Sequence, residues 1–164
     1  MQKLMITFAA LLMAASVLAA PKTYDLKSPD GKISVSVEAG EGIVYTLIHD
    51  GDLLLDKTEI SMATTSGELF GGAQSVRKVS RRSVSQIIPA VLYKKAEVKD
   101  EFNEMTLKFK NFSLIFRAYD DGMAYRFVSH LKSAYQIEKE CAEFNFAQDW
   151  NMWVPYVDKH LESL

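Results

Sequence analysis

The sequence predicts an all-β chain built as an antiparallel sandwich, on three observations. Apolar and polar residues alternate with period two in many short runs. Turn residues separate those runs at regular intervals. Beyond the first nineteen residues, no stretch of ten or more shows the periodicity of a helix. The clearest run is Asn111 to Val128, NFSLIFRAYDDGMAYRFV, in which Phe112, Leu114, Phe116 and Ala118 alternate with Ser113, Ile115, Arg117 and Tyr119. After Asp120-Asp121-Gly122 the device repeats, Met123, Tyr125 and Phe127 against Ala124, Arg126 and Val128. That is a β-hairpin with one buried face, and Gly122, free of a Cβ, is expected to take a positive φ in its turn.

The other elements follow in order. Ser28-Pro29-Asp30-Gly31 reads as a turn, Pro fixing φ and Asp-Gly closing the reversal. Lys32 to Glu38 alternates Ile33, Val35 and Val37 with Ser34 and Ser36, and Gly40-Glu41-Gly42 turns the chain. Ile43 to Ile48 and Leu53 to Leu55 flank the hairpin signal His49-Asp50-Gly51-Asp52, with Ile60 to Thr64 extending the sheet. Ser66 to Gly72 reads as a loop. Val76 to Ile88 is polar and β-branched, and Pro89 marks it as an edge strand or its end. Val91 to Lys95 is expected to be a short strand, Lys99 to Asn103 a polar connection, Glu104 to Lys110 a strand carrying Met105, Leu107 and Phe109, and Ile137 to Phe146 one more strand.

Composition narrows the class. Lys3 followed by the apolar run Leu4 to Leu18 and by Val17-Leu18-Ala19 has the form of a secretory signal, expected to be cleaved after Ala19. The run of about 15 residues is shorter than the roughly 20 needed to span a bilayer. The chain therefore divides into a signal peptide, 1–19, and one β-sandwich domain, 20–164. The expected location is periplasmic or secreted, with no membrane attachment after cleavage. The formal net charge is −2, and loss of Lys3 leaves 18 basic against 21 acidic residues, which disfavours a nucleic-acid partner. The single cysteine, Cys141, cannot close an intramolecular disulfide and reads as a buried thiol acting as a small hydrophobe.

The run Phe116 to Val128, FRAYDDGMAYRFV, resembles the signature hairpin in the N-terminal domain of glycoside hydrolase family 97. Leu26 to Ile33, LKSPDGKI, is similar to that family's opening strand and turn; YKKAEVKDEFNEMTL from Tyr93 to Leu107, AEFNF from Ala142 to Phe146, and then Trp153 and Pro155 agree in the same order. The resemblance implies a super-sandwich fold and an exported enzyme acting on α-linked glucosides or galactosides, made of a β-sandwich, a (β/α)8 barrel and a small C-terminal β domain. A barrel alone takes about 250 residues and the chain has 164. The family's barrel is thus expected to be missing, and the domain, whose end from Val157 to Leu164 is polar and unpatterned, is expected to be incomplete at its C-terminal end. The family's calcium ligands and catalytic carboxylates are expected beyond Leu164, with none assignable here.

The residues themselves offer no catalytic or metal site. Glycoside hydrolysis needs two carboxylates facing one bond, about 5 to 9.5 Å apart. Asp120 with Asp121, and Asp50 with Asp52, are adjacent or near-adjacent acids beside glycine, the composition of hairpin tips. His49, His130 and His160 share no metal spacing, and Gly67, Gly71 and Gly72 lack the Gly-Lys-Ser/Thr ending of a phosphate loop. Arg77, Lys78, Arg81 and Arg82 form a basic cluster suited to protecting an edge strand or pairing with acids of another domain.

Trp150, Trp153 and Tyr156 are the candidate binding residues, because aromatic rings stack on sugar faces while their polar edges hydrogen-bond. Packing in the core or against another domain is the other role open to them. Two functions are consistent with these features. One is the N-terminal sandwich of a glycoside hydrolase, contributing carbohydrate binding and support for a barrel. The other is a stand-alone, non-catalytic carbohydrate-binding or adhesion module.

Overall fold

The computed structural model describes residues 21–91 and 94–152, so residues 1–19, expected to form a signal peptide, and Trp153 and Tyr156 lie outside the described residues. Ten strands form two antiparallel sheets. The first joins β1 (Lys22–Lys27), β2 (Ile33–Ala39), β3 (Ile43–His49), β4 (Asp52–Thr64) and, last in chain order, β10 (Ile137–Ala142); the two-residue β5 (Leu69–Phe70) also pairs with β4. The second has the order β6 (Lys78–Pro89), β7 (Glu97–Lys108), β8 (Phe112–Tyr119) and β9 (Gly122–Ser129). No helix of the described residues is long and apolar enough to cross a membrane.

The inner faces carry the alternation predicted. Ile33, Val35, Val37, Ile43, Tyr45 and Ile60 from the first sheet meet Met105, Leu107, Leu114, Phe116 and Ala118 from the second, all of them buried. Aromatic pairs fill the centre: Phe109 stacks on Phe112 at 4.4 Å between centroids, Phe70 stacks on Phe112 at 5.0 Å, and Tyr45 meets Phe116 edge-on at 5.9 Å. Burial raises the Tyr45 hydroxyl to a pKa of about 12.

Several expectations need correction. Leu53 to Leu55 and Ile60 to Thr64 belong to the single strand β4. Its register against β3 slips twice, and Lys57 takes a φ of 42° there, so a bulge carries one strand through a polar stretch that reads as a break. Lys99 to Asn103 is strand, not connection, while Val91, Lys94 and Lys95 lie in the turn region between β6 and β7. The ladder runs from Lys78↔Lys108 to Pro89↔Glu97, but β8 reaches only Asn103. The outer half of β6 and β7 is therefore a two-stranded ribbon, stitched by Ser85 to Glu101 at 3.1 Å and Gln86 to Asp100 at 2.8 Å, with Ile87, Ile88 and Val98 exposed on its faces. Its apolar residues are mostly exposed and divided between the two faces, so it has no apolar period for the sequence to display.

The signature hairpin is present as β8 and β9, but its turn differs from the one predicted. Tyr119 pairs with Gly122, so Asp120 and Asp121 make the two-residue loop. Gly122 opens β9 without a positive φ, and a Cβ built on it meets nothing within 4 Å. The left-handed turn is instead the other hairpin, where Asp50 at 52° and Gly51 at 94° give the paired positive φ values of a type I′ turn. Regular pairing in β10 ends at Ala142, with one further bridge from Phe146 to Leu55. Cys141 is free, as expected, but half-buried rather than buried, because β10 is an outer strand with mostly exposed residues.

Candidate functional site

The two long sides of the sandwich are finished differently. On one side β1 and β6 are the edge strands. β1 has β2 as its one strand neighbour, and the carbonyls of Asp25 and Lys27 are capped from the second sheet: Arg81 donates to Asp25 O at 3.3 Å and Asn103 Nδ2 to Lys27 O at 2.9 Å. These bonds protect an otherwise exposed edge. An open recess of about 470 Å³ lies along the seam, lined by Asp25, Lys27, Arg81, Arg82, Asn103 and Glu104 among others.

Glu104 is the residue that sequence reasoning missed. It stands on the outer face of the four-stranded sheet, yet is only 6% exposed. Arg82, directly across on β6, holds it with two bonds, Nε to Oε1 at 2.6 Å and Nη2 to Oε2 at 2.9 Å; Arg117, directly across on β8, adds Nε to Oε2 at 2.8 Å. Arg117 also lies 4.2 Å from the Phe102 ring centroid, and Phe102 packs on Tyr119 at 5.2 Å. The Arg82 hydrogen bonds, with further help from Arg117, hold the carboxyl of Glu104 below its ordinary range against the opposing effect of burial. A carboxylate so engaged has no free proton-transfer role; it fixes the register of three strands. Only the cross-strand pairing reveals it, because Arg82, Glu104 and Arg117 are far apart in sequence.

The opposite side exposes several large apolar residues among polar ones. Beyond β10 the chain follows β4, with Asp56 donating to Asn145 O at 2.9 Å and Ala147 to Leu54 O at 3.2 Å. Along this segment Phe144 is 62% exposed, Phe146 48%, Trp150 37% and Met152 64%. Trp150, the one candidate binding residue that the structure describes, therefore belongs to an exposed aromatic strip on this segment. Phe144 and Phe146 extend that strip, and their alternation in AEFNF was the available signal.

Asp120 and Asp121 occupy the hairpin tip, and Asp50 lies in its own turn with Asp52 at the start of β4. Among the described residues no group of three or more His, Cys, Asp or Glu side chains could hold a metal ion.

Comparison with known proteins gives the family. The model of the glycosyl-hydrolase 97 N-terminal family matches residues 26–163. The chain is 34% identical over 158 residues to the retaining alpha-galactosidase of Bacteroides thetaiotaomicron, an alignment that takes in 96% of this chain and 24% of that enzyme. It thus spans about a quarter of the length of its curated relative. Among solved structures, a Glycoside Hydrolase Family 97 enzyme from Pseudoalteromonas sp. strain K8, in complex with acarbose, superposes with a TM-score of 0.66 at 20% identity over 76% of this chain and 20% of that one. A beta-arabinopyranosidase gives 0.68 at 22% identity over 75% and 21%. Both share the fold. With its family model covering nearly all the described strands, the chain belongs to the glycosyl-hydrolase 97 N-terminal family.

Proposed function

We propose that this chain is the N-terminal β-sandwich of an exported glycoside hydrolase acting on α-linked glucosides or galactosides, supporting a catalytic barrel and contributing to carbohydrate binding. The match over residues 26–163, with alignment to a quarter of a retaining alpha-galactosidase, carries this reading. Hydrolysis needs two placed carboxylates in a cleft, and the buried acid of the seam recess, Glu104, is held by Arg82 and Arg117. Catalysis, and any calcium that assists it, belongs to residues outside this domain. The open side carrying Phe144, Phe146 and Trp150 is the face suited to a neighbouring domain or a sugar. Export follows from the apolar run Leu4 to Leu18, and the domain works in the periplasm or outside the cell.

Reading the coding DNA beyond the Leu164 codon tests the proposal. A barrel-encoding sequence, in frame or after a frameshift, supports it. Unrelated sequence contradicts it and favours the stand-alone binding module.

A further inference from the structure

The basic cluster Arg77, Lys78, Arg81, Arg82 divides in the fold. Arg81 caps β1 and Arg82 clamps Glu104. Arg77 and Lys78 have no such employment. Lys78 stands directly across from Lys108 in the β6–β7 ladder, and like charges directly opposite on one sheet face repel. The amide of Arg77 donates to Lys108 O at 2.7 Å, which holds the two strand ends together, and Lys110 follows two residues later. Four exposed cations thus gather where two adjacent strands, about 5 Å apart, end. Among the described residues none of the four forms an ion pair.

Beside them is a recess of about 350 Å³ lined by Gln74, Ser75, Arg77, Lys110 and Asn111. Its amide walls are anchored: Gln74 Nε2 donates to Leu69 O at 3.1 Å, and Asn111 Nδ2 to Glu68 Oε2 at 2.8 Å. Their amide oxygens remain acceptors, and Ser75 adds a hydroxyl. Edge protection accounts for a lysine on β6, which is a free edge strand. It does not account for Lys108, on the interior strand β7, or for Lys110 just beyond it. Nor does composition, since the chain carries a net charge of −2.

We propose that this recess, with Arg77 and Lys110 in its lining, and the neighbouring pair Lys78 and Lys108 bind an anionic saccharide, one bearing sulfate esters or uronate carboxylates. Arg77 and Lys110 hold the charged oxygens of one unit, Lys78 and Lys108 those of the next, and the amide and hydroxyl groups of Gln74, Ser75 and Asn111 meet sugar hydroxyls. The spread of charge over two strand ends fits a polymer better than a single ion. This reading is independent of whether a catalytic barrel follows.

Affinity electrophoresis of the full chain at low salt, in gels containing dextran sulfate, polygalacturonate, polyglutamate or neutral dextran, tests it. The expected result is retardation by dextran sulfate or polygalacturonate, whichever anionic group is preferred, and none by neutral dextran. The pair Arg77→Gln with Lys110→Gln should weaken it about tenfold. The charge-matched pair Lys94→Gln with Lys95→Gln, roughly 35 Å away along the ladder, should leave it within about twofold. A second variant, Lys78→Gln with Lys108→Gln, should also weaken retardation while melting no lower than the parent, because it relieves a repulsion. Absence of retardation, equal retardation by polyglutamate, or equal loss in the two charge-matched variants overturns the proposal.

Discussion

Asp120 Oδ1 accepts a hydrogen bond from the backbone N–H of Asp30 at 2.9 Å. This joins the tip of the β8–β9 hairpin to the Ser28–Gly31 turn, so two motifs that carry the family resemblance, SPDG and DDG, meet at one end of the sandwich. The Asp30 carboxylate is engaged in turn by Ser28 Oγ at 2.6 Å and the amide of Lys32 at 3.0 Å. An inter-sheet link thus rests on a turn that is already ordered. Asp120→Asn keeps an acceptor oxygen and should leave the melting temperature nearly unchanged; Asp120→Ala removes it and should lower Tm by about 2–4 °C. Equal melting of the two variants would show that the link contributes nothing.

The glycine that the fold requires is Gly71. Its φ is 93°, and an added Cβ would lie 2.5 Å from the carbonyl oxygen of Ile60 and 3.0 Å from Ser61 Cα. Gly71→Ala should therefore destabilise by at least about 2 kcal/mol, combining a disfavoured φ with a backbone clash. Gly122→Ala, at an ordinary φ in open space, should cost well under about 1 kcal/mol. Urea denaturation of both variants checks this, and the reverse order would mean that the hairpin tip is misassigned.

Acid should loosen the fold through Glu104. Its folded pKa lies below its ordinary value, so its stabilisation is fully present above the unfolded pKa of about 4.3 and is lost as pH falls through the folded one. The urea midpoint should hold steady above about pH 5 and decline below about pH 4. Glu104→Gln should flatten that decline in part, because Asp30 and Glu101 are lowered as well, chiefly by hydrogen bonds from Ser28 and Lys99 respectively. At pH 7 the same variant should lose about 2 kcal/mol, less than a fully buried pair would, since Arg82 is more than half exposed. An unchanged pH profile in the variant would remove Glu104 from the account.

How much of this was legible depended on whether a residue buries a face. Phe112, Leu114, Phe116 and Ala118 alternate because one side of β8 lies in the core, and that strand, β2 and the sandwich class could all be read directly. The ribbon half of β7, Lys99 to Asn103, shows no such alternation because within it only Phe102 is buried, beneath Arg117 and Tyr119 rather than against the facing sheet. The Glu104 clamp was hidden for another reason: its partners are set by strand register, with Arg82 and Arg117 at separations of 22 and 13 residues. Trp150 could be singled out as an aromatic near a domain end, but its membership of an exposed strip with Phe144 and Phe146 follows from the path of the chain beside β4.

The exposed strip has a measurable consequence. Phe144, Phe146, Trp150 and Met152 should bind a hydrophobic dye and promote self-association, and Phe144→Ser with Phe146→Ser should reduce both by severalfold. If the strip faces a sugar instead, maltose or melibiose should quench tryptophan fluorescence, and Trp150→Ala should diminish the quench. Neither dye binding nor quenching would leave the open side without a partner of either kind.

The central claim, that this domain supports catalysis performed elsewhere, is tested most directly by assaying purified Ala20 to Leu164 with nitrophenyl α-galactoside and nitrophenyl α-glucoside, with and without added calcium. No nitrophenol release above background is expected under any of these conditions, because in the seam recess, where Asp25 and Glu104 both lie, Glu104 is engaged by Arg82 and Arg117 and Asp25 by Ser36. Calcium-dependent release by the pure protein would contradict it.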